Sequence, residues 1–228
     1  MATQLTWLGH GCWSLKTAEH RVLLDPFLDD SPTAPIKSDD VDADFILVSH
    51  GHFDHVADAG KIARRTGATV IGIFEVCQWL AANEKVEKTH AQNIGGSFEH
   101  PFGRVTMTIA HHSSSMPDGS YGGDPAGFLI SLPEGNVYFA CDTALFDDMR
   151  RIGQAGIALA VLPIGDNFTM GPEDSIEAIK LLNPGRVAPA HYNTWPLIEQ
   201  DAARWAEHVR DKTKAEPVVL EPGGVLTL

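Results

Sequence analysis

An α/β (α+β) fold of two sheets packed face to face, with helices on both outer surfaces and four layers in all, is what the order of apolar patterns predicts. Three observations lead there. Strand-like segments, mixed strand and helix units, strands and then mixed units follow one another, so the two halves of the chain read alike. No stretch of Pro, Ser and Gly is long enough to act as a linker and no repeat divides the chain, so residues 1–228 read as one domain. With 43% of its 228 residues hydrophobic and 21% charged, the chain carries enough apolar material for an ample core.

The first fifty residues read as strands. "QLTWLG" and "CWSLKT" alternate or cluster apolar residues, "HRVLLDPFL" is leucine-rich up to an Asp-Pro stop, and "ADFILVSH" is a continuous buried run. The period then changes: "VADAGKIARRT" reads as helix, "ATVIGI" as a short strand and "FEVCQWLAANEK" as a second helix. Beyond "NIGGSF" the strand signal returns in "RVTMTIAHH", "AGFLISL" and "NVYFACD", joined by the turn-rich "PDGSYGGDP" and "PEGN". The last third alternates again. "ALFDDMRRIGQ" reads as helix, "IALAVLPI" as strand, "GPEDSIEAIKLL" as a helix with Pro in its first turn, "RVAPAH" as strand, "PLIEQDAARWAEHVRDK" as helix and "PVVLEPGGVLTL" as a terminal strand pair.

Thirty acidic against 17 basic residues give a formal net charge of −13, which keeps a protein soluble and repels polyanions. Neither nucleic acid nor an anionic membrane is therefore expected as a partner; a small-molecule substrate is, and a homo-oligomer is compatible. Cys12, Cys77 and Cys141 are odd in number, scattered and free of CxxC spacing, which speaks against a disulfide framework and for a reducing cytoplasm. The opening "MATQLTWLGHGCW" lacks the basic and apolar regions of a leader, and runs such as "IALAVLPI" are too short to span a bilayer.

The densest chemistry lies in "VSHGHFDHVADAG", where His50, His52, Asp54 and His55 follow an apolar run. Residues two apart in extended chain share a face, so His50, His52 and Asp54 can converge on one point. If the chain turns into a helix after Phe53, Asp54 and His55 can serve a second point nearby. That arrangement suits two cations about 3.5–4 Å apart, as in two-metal hydrolases. A polar surface loop is the plainer explanation, but H-x-H-x-D-H is far more specific than a pair of histidines. Imidazole and carboxylate donors suit zinc first, with manganese, iron and nickel compatible, and the absence of a thiolate beside them argues against a structural zinc finger. Further donors are expected at later strand ends. "TIAHHSSS" offers His111 and His112, "YFACDT" offers Asp142, and "VAPAHYNT" offers His191.

These residues resemble the metallo-β-lactamase superfamily in order and spacing over essentially the whole chain. More narrowly, "TWLGH" with "LLDPFL", "NIGGSF", "HSSS", "YGGDPAGF", "CDTALFDDM", "PIGDNFTMGPEDS" and "HYNTWP" resemble a group of metal-dependent hydrolases related to ascorbate-6-phosphate lactonase-like proteins. The resemblance implies an αββα sandwich and two divalent metal ions. It implies that His50, His52 and His112 bind one ion, Asp54, His55 and His191 bind the other, and Asp142 bridges them. His112 is chosen over His111 because the family's ligand stands immediately before the serine run. Three positions depart from the family pattern: Cys141 and Asp166 stand where glycine is common, and Asp124 where asparagine is usual.

The expected reaction is hydrolysis of a small ester, lactone or related bond by a metal-bridging hydroxide, which needs no basic side chain to form at neutral pH. Asp54 and Asp142 offset the cationic charge. His10 is the candidate for proton transfer to the leaving group or for contact with an anionic substrate group, against a purely structural role. Asp25 is expected to orient a ligand histidine, and Ser113, Asn167 and Asn193 to line the pocket. His20, His90, His100 and His208 read as ordinary surface or rim residues. A phosphodiesterase on the same centre is the alternative reaction, and a non-catalytic metal-binding scaffold the alternative of another class.

Overall fold

Short alternating strands and longer apolar ones sort into two sheets. The computed structural model describes residues 2–228. In the first sheet, β1 (Gln4–Trp7), β2 (Trp13–Lys16), β3 (Arg21–Leu24), β4 (Phe45–Val48), β5 (Thr69–Ile73) and β6 (Thr89–Gln92) lie side by side in chain order. In the second, β7 (Ser97–His100), β8 (Gly103–Ile109), β9 (Ala126–Leu132), β10 (Gly135–Phe139), β11 (Ile157–Pro163), β12 (Arg186–Ala190) and β13 (Glu216–Pro217) do the same. The last strand, β14 (Val225–Thr227), returns to the first sheet beside β1. Each sheet is half antiparallel and half parallel: the β3 to β6 pairings are parallel in one, and those from β10 to β13 in the other.

The continuous runs are the parallel strands. "FILV" of β4 and "IALAVLP" of β11 are buried almost throughout, because helices cover the outer face of a parallel region. The edge-side β1 and β2 bury alternate residues instead. Helices α1 (Phe53–Val56), α2 (Ala59–Thr66) and α3 (Phe74–Asn83) follow strands of the first sheet, and α4 (Met149–Gly153), α5 (Pro172–Leu182) and α6 (Ala202–Lys212) those of the second. The α2 and α3 helices pack on the first sheet, and α5 and α6 on the second, giving the four-layer αββα sandwich. Between the sheets, Trp13 of β2 meets Phe139 of β10 with ring centroids 6.3 Å apart, and one cluster of buried apolar side chains draws on both sheets. Among the described residues no helix is long and apolar enough to cross a membrane.

Helix ends follow local chemistry. Pro172 opens α5 as its fixed φ favours, Gly67 closes α2 at φ 74°, and Asp201 caps α6 by accepting from the Arg204 backbone N–H at 2.9 Å. That cap starts the last helix at Ala202, leaving only a single 3-10 turn at Pro196–Ile198. The helix expected over "ALFDDMRRIGQ" is likewise confined to Met149–Gly153.

The expectation for the C-terminal segment changes as well. "PVVLEPGGVLTL" is not a strand pair: Glu216–Pro217 adds to the edge of the second sheet, and the chain then crosses to the first. Gly223, at φ 88°, makes the turn and donates to the Trp7 carbonyl. The edge strands β6 ("THAQ") and β7 ("SFEH") carry no strand-like pattern, since each has at most one buried residue to mark a face.

Candidate metal centre

Five strands deliver polar residues to one rim at their C-terminal ends. The turn after β1 carries His10, the loop after β4 carries His50 and His52, and those after β8, β10 and β12 carry His112, Asp142 and His191. Helix α1 begins at Phe53, so Asp54 and His55 are themselves helical and turn inward from its first turn. Three of these loops, and the one after β3, hold a non-glycine residue in left-handed backbone: His10 at φ 50°, Cys141 at 55°, His191 at 53° and, after β3, Asp25 at 43°. Such conformations cost about 1–3 kcal/mol each and gather where surrounding structure fixes a functional geometry. The φ of Cys141, and that of 62° at Asp166, explain why glycine suits both positions.

The side chains fall into overlapping groups whose donor atoms lie within 4.8 Å of one another: His50 with His52 and His112; Asp54 with His55, His191 and His10; and His50 with His55 and Asp142. The Oδ2 of Asp142 stands at the middle, 3.0 Å from His191 Nε2, 3.3 Å from His55 Nε2 and 3.6 Å from His112 Nε2. Asp54 Oδ2 lies 3.7 Å from both His55 Nε2 and His191 Nε2. His112 reaches the cluster, whereas His111 turns away to pack on Phe146 at 5.0 Å.

Asp25 fixes which ring nitrogens face inward. Its carboxylate accepts from Ser49 N at 2.7 Å, Ser49 Oγ at 2.6 Å and His55 Nδ1 at 2.9 Å. Because the Ser49 hydroxyl proton is spent on Asp25, Ser49 Oγ accepts from His50 Nδ1 at 2.9 Å. Both histidines therefore turn Nε2 to the cluster, the atom whose lone pair a metal would take once any proton there has left. Asparagine at position 25 keeps the shape but offers His55 an N–H in place of an acceptor. Asp25→Asn is expected to weaken metal binding about 10- to 100-fold, measured by competition with a chelating dye.

His10 is fully buried and stands behind Asp54. Its Nε2 donates to Asp54 Oδ2 at 3.0 Å, and its Nδ1 meets Thr194 Oγ1 at 2.7 Å. Burial lowers its pKa to about 4, so the ring is neutral and Nδ1 accepts from the threonine hydroxyl. That tautomer points a proton, not a lone pair, at the cluster. The ring is buried and is not among the residues that line the neighbouring cleft.

The rest of the cluster balances burial against charge. Burial pushes His50 down and also His52 and His112. Burial is the largest single influence on His55 and His191 and would lower both, but the surrounding carboxylates, Asp142 foremost and Asp54 with it, together outweigh it and raise both, His191 to about 9. Burial opposes charge on Asp54 and Asp142, yet the imidazoles around them hold both below the carboxylate range. Despite this crowding, His55 Nε2 and His191 Nε2 are buried and face Asp142 Oδ2 at 3.3 and 3.0 Å without the direction of a hydrogen bond, and the buried His191 Nδ1 has no partner at all. Native proteins seldom leave such groups unpaired, and a divalent cation among these donors satisfies them. The donor set thus fits metal ions.

Beside the cluster opens a cleft of about 460 Å³, lined by His52, Asp54, His112, Asp142 and His191 on one side. Phe53, Phe168, Trp195 and Leu197 form the other. Ser113 also lines it, with Oγ 3.4 Å from His52 Nε2. Asn167 and Asn193 are not among the lining residues; Asn193 Oδ1 accepts from the Gln200 backbone N–H at 2.7 Å. The aromatic wall, Ser49 and Thr194 went unread in the sequence. Phe53 inside the histidine loop and Trp195 after "HYNT" were the available signals, being large apolar residues flanking polar ones. The four histidines read as ordinary lie away from the cleft; His208, for one, pairs with Glu173 at 3.2 Å.

Comparison with known proteins points the same way. Residues 20–192 match the pattern of the β-lactamase superfamily domain. A UPF0173 metal-dependent hydrolase of Heliobacterium modesticaldum is 46% identical over 232 residues, covering 98% of this chain and 97% of the relative. Another, from Thermus thermophilus, is 43% identical over 225 residues and covers 99% of both. Among solved structures, Igni18, a metallo hydrolase from the hyperthermophilic archaeon Ignicoccus hospitalis, superposes with a TM-score of 0.89 at 32% identity, covering 100% of this chain and 99% of that one.

Proposed function

The chain belongs to the metal-dependent hydrolases of the metallo-β-lactamase superfamily, and from that membership we propose that it hydrolyses a small ester, lactone or related bond at a pair of divalent cations, zinc being the best fit to the donors. The observation that carries this reading is the set of buried, unpaired nitrogens of His55 and His191 facing two buried carboxylates. His50, His52 and His112 would hold one ion and Asp54, His55 and His191 the other, with Asp142 between them. Bound there, the ions supply a water acidified toward neutrality and polarise the bond to be cleaved.

The chain's own groups do the positioning. Asp54 and Asp142 supply negative charge that compensates the cations. His10 holds Asp54 Oδ2 through Nε2, while Thr194 fixes the His10 tautomer. We assign His10 this positioning role in place of proton transfer to the leaving group. Asp25 sets the rings of His50, through Ser49, and of His55. The whole chain, residues 1–228, acts in this reading as one hydrolase domain.

A panel of aliphatic and aryl esters, lactones and phosphodiesters, offered to zinc-loaded protein, tests the bond class. Turnover of esters or lactones is expected, with phosphodiesters at least tenfold poorer. Turnover of phosphodiesters alone overturns the assignment.

A further inference from the structure

The cleft wall opposite the donors carries an inference about substrate that rests on the hydrolase reading. Phe53, Phe168 and Leu197 are 57%, 51% and 68% exposed, far more than large apolar residues need be, and all three converge on the cleft with Trp195. Scattered exposed hydrophobics mean little, but a contiguous patch rimming a cleft beside a reactive cluster marks a binding surface.

The wall is built to stay in place. Trp195 packs against Phe27 at 5.9 Å, Phe53 at 6.0 Å and, edge to face, His10 at 5.0 Å. Phe27 is itself buried and meets Phe53 edge to face at 5.8 Å. Phe168 projects from a turn in which Asp166 and Asn167 both take left-handed backbone, φ 62° and 48°, and the Asp166 side chain accepts from Asn167 N at 2.8 Å. Leu197 sits on the 3-10 turn after Trp195.

No Lys or Arg lines this cleft among the described residues. Its charged groups are the carboxylates and imidazoles of the donor cluster, and the chain as a whole carries −13. One anionic oxygen at the reacting centre could meet a cation bound by the cluster. A second negative group farther out, such as a phosphate carried on a sugar, would lie on aromatic and leucine side chains with nothing to replace its water.

We propose that the cleft takes substrates whose part beyond the reacting bond is uncharged and apolar, an aryl or medium-chain acyl group seated on Phe53, Phe168, Trp195 and Leu197, and that it rejects those with a remote negative charge. The volume of about 460 Å³ falls in the range of small-molecule sites.

The test pairs two esters of equal length and one leaving group, 4-nitrophenyl hexanoate and the 4-nitrophenyl monoester of adipic acid, on zinc-loaded protein. The hexanoate is expected to have a kcat/KM at least tenfold higher, mostly through KM, and equal values overturn the proposal. Phe168→Lys with Leu197→Lys, both at exposed positions, should shift that ratio at least tenfold toward the adipate; an unchanged ratio in a variant of unchanged Tm overturns it too. If neither ester turns over, the ester reading fails and binding decides alone. Saturation-transfer NMR with N-phenylhexanamide should then show contact that the double variant loses, and no contact in the parent protein overturns the seat itself.

Discussion

Replacing Asp142 by asparagine is expected to lower hydrolysis about a thousandfold and, on the proposed two-ion reading, to reduce bound metal to one ion per chain or fewer. Asp142 is buried and its Oδ2 faces His55, His112 and His191 at 3.0–3.6 Å. No other carboxylate oxygen in the cluster faces a histidine of each proposed ligand set. Asparagine keeps the volume and the hydrogen-bonding shape but withdraws the negative charge that makes two neighbouring cations tolerable. Metal analysis and kcat on the same preparation check this, and a variant with full metal content and full activity removes Asp142 from the centre.

Stripping the metal with a chelator should abolish activity and lower Tm by about 10 to 20 °C, with recovery on adding zinc. The arithmetic is that of a ligand bound only by the folded state: about 2.7 kcal/mol per site at a hundredfold excess over Kd, and about 2–4 °C per kcal/mol for a chain of this size. The pH dependence has a definite sign. In the metal-free protein the pKa of His191 is raised to about 9, so it is charged at neutral pH, and that of His55 is shifted in the same direction by the Asp142, Asp54 and Asp25 carboxylates. A cation must displace such protons, and apparent affinity therefore climbs with pH until the raised values are passed. Calorimetry at pH 7 in buffers of different ionisation enthalpy should register proton release on zinc binding; proton uptake contradicts the electrostatics described here.

How much of this was legible before the fold depends on how local each signal is. The buried runs "FILV" and "IALAVLP" announce parallel strands because both faces are covered, and the sandwich follows from their alternation with helices. β6 and β7 stayed hidden because edge strands with little burial carry no pattern. The H-x-H-x-D-H loop was readable since its donors sit so close together in the chain, and His112, Asp142 and His191 because each ends a strand. The His10 to Thr194 contact spans 184 residues and leaves no local trace. Phe53, Phe168 and Leu197 carry no local mark of exposure, and only the tertiary fold turns them to an open cleft. The left-handed backbone at Cys141 and Asp166 was present in the sequence as two departures from glycine, whose physical cause is visible only in φ.

The central claim is that this rim gathers two cations between two ligand sets. Anomalous diffraction at the zinc edge, from crystals of protein loaded with zinc and freed of excess, tests it most directly. The account predicts two peaks, one enclosed by His50, His52 and His112 and the other by Asp54, His55 and His191, with Asp142 touching both. A single peak, or peaks away from these side chains, would contradict it.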